Sequence, residues 1–146
     1  MLQDTATIDY RYNFFIKRVG EMNLVWGLEN EDGWAMSSSN EDEDIGVIPF
    51  WSDRAYANAC AKDHWTNYAP TSIPLAEFLE NWCVGMANDN TLIGVNWDVN
   101  MFGKEVNALN LALEILKLLK ISKVNIAFLE HNDVDDFIEK LNHSLN

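Results

Sequence analysis

The segments IPFWSDRAYANACAKDHW (48–65), TNYAPTSIPLAEFLENWCVGM (66–86) and NDNTLIGVNWD (88–98) decide how this chain folds. Four of its six tryptophans lie here, at Trp51, Trp65, Trp82 and Trp97, together with all three prolines. Large rings bury much area in directional contacts, and proline fixes φ, so this density specifies one packed unit. Leu75, Phe78, Leu79, Trp82, Cys83 and Met86 recur at helical spacing and predict a helix with that stripe buried. Ser72 is placed to cap it, Pro74 is tolerated in its first turn, and Pro70 falls in a preceding loop. Upstream, Ser52 predicts the cap of a helix with Ala55, Tyr56, Ala59 and Cys60 inward. Downstream, Asn88–Asn90 turns the chain into a strand with Ile93, Val95 and Trp97 on one face.

Working outward, Asp9 reads as an N-cap for a helix whose stripe is Ile8, Tyr12, Phe15, Ile16 and Val19, with Gly20 as its stop. Leu24, Trp26 and Leu28, then Trp34 and Met36, alternate as two strands of a hairpin turned at Asp32-Gly33. SSSNEDED (37–44) is a polar, acidic loop, and residues 46–50 form a third strand. Residues 105–120 predict a strong helix, Val124, Ile126 and Phe128 a last strand, and Asp133 the cap of a final helix buried through Val134, Phe137, Ile138 and Leu141. Without regular βαβ alternation, the pattern is α+β: a small, mainly antiparallel sheet packed on several helices in a single compact domain.

Composition bounds the function. At 146 residues and 48% hydrophobic, the chain can bury one core. Its formal net charge of -13 repels phosphate backbones and anionic membrane surfaces and attracts basic protein faces. A basic protein partner is therefore expected, and neither nucleic acid nor membrane. Two cysteines, both on apolar stripes, and an acidic N-terminus with no apolar run predict a cytoplasmic, reduced protein.

Motifs for chemistry are sparse. Cys60 and His64 share one helical face, but a zinc site needs two further ligands and none falls in a motif. As a thiol and base, the pair lacks a third orienting group. Residues 40–46 and 96–103 resemble calcium loops until position six, where Ile45 and Met101 stand in place of the required glycine. Asp98 reads as a turn-closing residue, and no phosphate-loop, nucleophile-elbow or HExxH pattern occurs. No cofactor, metal ligand or catalytic residue is assigned. The candidate contact residues are the acidic run Glu41, Asp42, Glu43 and Asp44, and the pair Trp65 and Tyr68 in the polar loop HWTNYAP, where exposed rings would form a docking patch.

The pieces VWGL (25–28), EDGWAM (31–36), IPFWSDRAYANACAKDHW (48–65), IPLAEFLENWCVGM (73–86) and IGVNWD (93–98) resemble a bacterial family of domains of unknown function, DUF2750, over about residues 10–115. That resemblance implies a small intracellular bacterial protein with a compact α+β core, and residues 116–146 then form an extension with a strand and a helix. It brings no catalytic residues. The expected function is a non-catalytic protein-binding domain; an immunity or antitoxin-like protein that neutralises a basic partner is the alternative. An enzyme with an irregular site, beginning from Cys60, His64 and Asp98, is the third reading.

Overall fold

The computed structural model describes residues 5–145. Helix α1 (Thr5–Met22) opens the fold, and strands β1 (Leu24–Asn30) and β2 (Gly33–Trp34) form the expected hairpin. The polar loop contains a short strand, β3 (Ser37–Ser38), antiparallel to β4 (Gly46–Phe50). Helix α2 (Arg54–Ala59) and a 3-10 turn (Asp63–Trp65) lead to β5 (Ala69–Pro74), which pairs antiparallel with β1 from Leu24 to Glu29. Next come α3 (Leu75–Glu77), a π-helical segment (Phe78–Cys83) and α4 (Val84–Asn88), then β6 (Leu92–Val95), β7 (Lys104–Val106), α5 (Ala108–Ile121) and α6 (Val134–Leu145).

The strands make two sheets, in the orders β2-β1-β5 and β3-β4-β6-β7. Four pairings are antiparallel, and β4 runs parallel to β6 from Val47↔Leu92 to Phe50↔Val95. Two backbone hydrogen bonds between Trp26 and Trp51, of 2.8 and 2.7 Å, join the sheets. Alternation then fills both faces. Val25, Phe50, Ile93 and Val95 enter the larger core beneath α1, the α3–α4 stretch, α5 and α6. Leu28, Val47, Trp51 and Trp97 form a second, smaller core with Ala57, Cys60 and Trp65. The architecture is α+β.

Several expectations are corrected. α1 starts before Asp9 and passes through Gly20; its stop is Asn23, in the left-handed region at φ 57 with its amide on the Val19 carbonyl. The loop around Pro70 is strand β5, which tolerates prolines because it is an edge. Ser72 lies in that strand opposite Trp26 and caps nothing. Ser52 precedes α2 without capping it, and the helix buries Ala57 while Ala55, Tyr56 and Ala59 face out. Met36 lies outside the hairpin strands and is exposed. Val124 to Phe128 form no strand. Lys104–Val106 do, so α5 begins at Ala108, where the Asn107 side chain accepts the Leu109 and Asn110 amides at 2.9 and 3.1 Å. Asp133 does cap α6, accepting the Asp136 amide at 2.8 Å.

Candidate functional site

In open sheets, ligand crevices form outside the carboxyl ends of parallel strands, where the chain must turn away. Here those ends are Phe50-Trp51 after β4 and Val95-Asn96 after β6. A cavity of about 330 Å³ opens there between α1 and α2, lined by Tyr10, Phe14, Trp51, Tyr56, Trp97 and Asp98 among others. Tyr10 and Phe14 are stacked one helical turn apart at 6.3 Å, and Phe14 meets Tyr56 across the gap, also at 6.3 Å. Tyr10 is 68% exposed and Tyr56 45%, so the mouth is a corner of wet rings over two buried indoles.

The floor is rigid because its polar groups are spent on one another. Trp51 donates its indole N–H to the Trp97 carbonyl at 2.9 Å, and Trp97 donates its own to the Lys104 carbonyl at 3.2 Å. Asn96 is buried in the left-handed region, at φ 46. Its Oδ1 accepts the Ser52 amide at 2.9 Å, and its Nδ2 donates to the Ser52 hydroxyl at 3.2 Å and the Arg11 carbonyl at 3.4 Å. One side chain thus ties α1 to the ends of both parallel strands. Glycine makes room for Trp97: a Cβ on Gly94 would lie 2.5 Å from its ring and one on Gly103 2.4 Å.

Asp98 closes the following turn, as its spacing predicts, accepting the Asn100 and Phe102 amides at 2.9 and 3.1 Å. Its other oxygen faces Arg11 Nη1 at 3.7 Å, and Arg11 Nη2 donates to the Phe102 carbonyl at 3.4 Å. Cys60 packs at the back of the cavity, its thiol directed to the Trp97 and Asp98 carbonyls at 3.6 and 3.4 Å. Burial, then the Asp98 carboxylate, push its pKa up to about 11. That thiol is protonated at neutral pH and is a poor nucleophile. His64 is exposed in the 3-10 turn and borders, with Cys60, an adjacent cavity of about 500 Å³.

The acidic run sits elsewhere. Glu41, Asp42, Glu43 and Asp44 are all exposed, on the turn that leads into the amino end of β4. The loop is anchored where Glu105 accepts the Ser39 hydroxyl at 2.6 Å and the Asn40 amide at 3.0 Å. Trp65 is only 6% exposed and meets Trp51 edge-on at 6.3 Å, so it is a core ring and the exposed Trp65–Tyr68 patch does not form. Tyr68 is half-buried beside it. Helical periodicity does not single out Tyr10 and Phe14, because they flank the buried stripe of α1. Two rings four residues apart outside such a stripe were the available signal. Among the described residues, no group of three or more His, Cys, Asp or Glu is placed to hold a metal. No helix among them is long and apolar enough to cross a membrane.

Fold and site together define an α+β domain that presents an aromatic pocket at the carboxyl ends of a parallel strand pair. The chain belongs to the family described as protein of unknown function (DUF2750), which matches residues 12–115. The matched span holds both sheets and most of the pocket lining, while α6 lies beyond it. No curated protein and no solved structure matches the chain.

Proposed function

We propose that this protein is a non-catalytic protein-binding domain whose pocket at Tyr10, Phe14 and Tyr56 receives an apolar side chain of its partner. The observation that carries the reading is the exposed pair Tyr10 and Tyr56, bridged by the half-buried Phe14, over an apolar, preformed hollow. Exposed aromatics around a concave apolar site have the composition of binding hot spots. The polar side chains around the hollow have structural duties: Asp98 closes a turn, Asn96 joins three segments, and Cys60 holds its proton. The net charge of -13, with the exposed run Glu41–Asp44, favours a partner whose docking face is basic.

The test is affinity capture on wild type and on the double variant Tyr10→Ser, Tyr56→Ser, quantified side by side. Both substitutions are at exposed positions, so thermal unfolding of the two proteins should agree. A protein retained by wild type and lost by the variant supports the pocket. Equal retention of every captured protein removes it.

A further inference from the structure

We infer that the pocket takes a single aromatic ring carried on a basic segment of the partner, an inference that rests on the pocket being the docking site. Size admits a ring, since a hollow of ~150 Å³ already holds a benzene. The cavity of about 330 Å³ stands at the lower end of ligand pockets, which span ~300–1,000 Å³. The walls argue for an aromatic rather than an aliphatic group. Phe14 lies 6.3 Å from both Tyr10 and Tyr56 at the mouth, so an entering ring meets a wall of ring faces and edges, with which aromatic groups pair favourably. Behind them Trp51 and Trp97 offer only ring carbon, because both indole N–H groups are already bonded within the protein. A polar head driven to the floor would find the Trp97 carbonyl already accepting from the Trp51 indole at 2.9 Å and facing the Cys60 thiol at 3.6 Å.

Charge then selects the segment that bears the ring. Arg11 and Asp98, the charged groups of the lining, face each other at 3.7 Å and leave little net charge at the hollow itself. Two flanking acids are paired likewise, Asp9 with Lys104 at 3.6 Å and Asp53 with Arg18 at 3.2 Å. What an approaching peptide feels is therefore the field of the whole molecule, 23 acids against 10 bases. Basic flanks can stay hydrated at the rim while the ring enters.

Three capped tripeptides test this: Lys-Phe-Lys, Glu-Phe-Glu and Lys-Ala-Lys. Each is titrated into the full chain at low salt, reading indole side-chain NMR signals of Trp51 and Trp97. The expected result is saturable shifts with Lys-Phe-Lys, binding weaker by ~10-fold or more with Glu-Phe-Glu, and unmoved indoles with Lys-Ala-Lys. The double variant Tyr10→Ser, Tyr56→Ser should lose the Lys-Phe-Lys response. Equal affinity for Glu-Phe-Glu overturns the basic segment and leaves the pocket standing as an apolar docking site. Indoles that respond to Lys-Ala-Lys as to Lys-Phe-Lys overturn the ring. Silence with all three peptides overturns the inference together with the docking site beneath it.

Discussion

The Glu80 carboxylate holds the His131 imidazole at 2.9 Å across 51 residues of chain. The same carboxylate accepts the Leu129 and Glu130 amides at 2.8 and 2.7 Å, so three consecutive residues of the segment before α6 hang on one side chain. His131 is in turn stacked on Phe137 of α6 at 3.8 Å, which links the clasp to the larger core. Glu80 lies within the π-helical segment Phe78–Cys83, and it is buried. The widened turn shifts the inward stripe of the surrounding helix and lets a carboxylate share it with Leu79 and Cys83.

Acid should open this clasp. Burial raises the Glu80 pKa, but the two amides and His131 outweigh it and hold the carboxyl below its ordinary 4.5. A group depressed on folding contributes stability that is present above its unfolded pKa and lost as pH falls through the folded value. Asp136 is also held low, by the Asn132 amide first and Lys140 next, and acts in the same direction, so the informative quantity is a difference between variants. Glu80→Gln should cost ~1–3 kcal/mol at neutral pH, the usual range for leaving buried groups unsatisfied. Its cost relative to wild type should shrink once pH falls below 4.5. Urea unfolding of both proteins across that range is the measurement; a cost independent of pH would show that charge plays no part.

Glycines around Trp97 should be intolerant where a glycine in α4 is not. Gly103→Ala would place a Cβ 2.4 Å from the Trp97 ring, 3.1 Å from its Cα, and Gly94→Ala one 2.5 Å from the ring. Because Trp97 is buried and bonded to Lys104, it has little room to yield. Each substitution should cost ~1–3 kcal/mol by overpacking. Gly85 has nothing within 4 Å of its Cβ position and lies within α4, so Gly85→Ala should instead stabilise by ~0.5–1 kcal/mol. Thermal unfolding of the three variants decides, and a stabilised Gly103→Ala would contradict the packing assigned to Trp97.

Local patterns were legible in sequence, and partnerships were not. The hairpin, β4, β6, α5 and the Asp133 cap follow from alternation, helical period and capping chemistry. However, β6 ends at Val95, and the left-handed Asn96 sends Trp97 into the smaller core instead of the face shared by Ile93 and Val95. The β5 strand was hidden because three of its six residues are Pro or Ser; long pairing with β1 overrides that weak propensity. Trp82 falls on an apolar stripe, yet it is half-buried and packs edge-on against Trp34 at 4.8 Å and Phe50 at 5.5 Å, away from Trp97. Periodicity assumes one regular helix, and the π turn breaks that assumption at Glu80. The pocket was harder still: Tyr10, Tyr56 and Trp97 come from three distant segments, and the pairing that gathers them is parallel, which no local signal announces.

Neither cysteine should behave as a reactive thiol. Burial pushes the Cys83 pKa up strongly, and Cys60, 5% exposed, is held at about 11. Only the thiolate attacks a disulfide reagent, so Cys60 should label ~100-fold or more slowly than an exposed cysteine near pH 8. Cys83 should label only on unfolding. Timed reaction with an aromatic disulfide, followed by peptide mapping, distinguishes the two. Fast labelling of Cys60 would mean that the back of the pocket opens in solution.

The acidic run should steer a basic partner at low salt and lose that influence at higher salt. Glu41–Asp44 precede β4, whereas the pocket lies beyond its carboxyl end at Trp51. Five strand residues span ~16 Å. That distance is inside the ~30 Å screening length at 0.01 M salt and well outside the ~8 Å length at 0.15 M. Replacing all four acids by their amides changes the net charge from -13 to -9 (four fewer negative charges). The turn should survive, since Asp42 Oδ1 accepts the Asp44 amide at 3.0 Å and an Asn there keeps an oxygen in place. Unfolding free energy should therefore move by no more than ~0.5 kcal/mol. Stopped-flow association of the Lys-Phe-Lys peptide should be slower for the variant at the lower salt and equal to wild type at the higher. Equality at both would reduce the run to a solvated loop, and a deficit that persists at the higher salt would mean that these carboxylates touch the ligand directly.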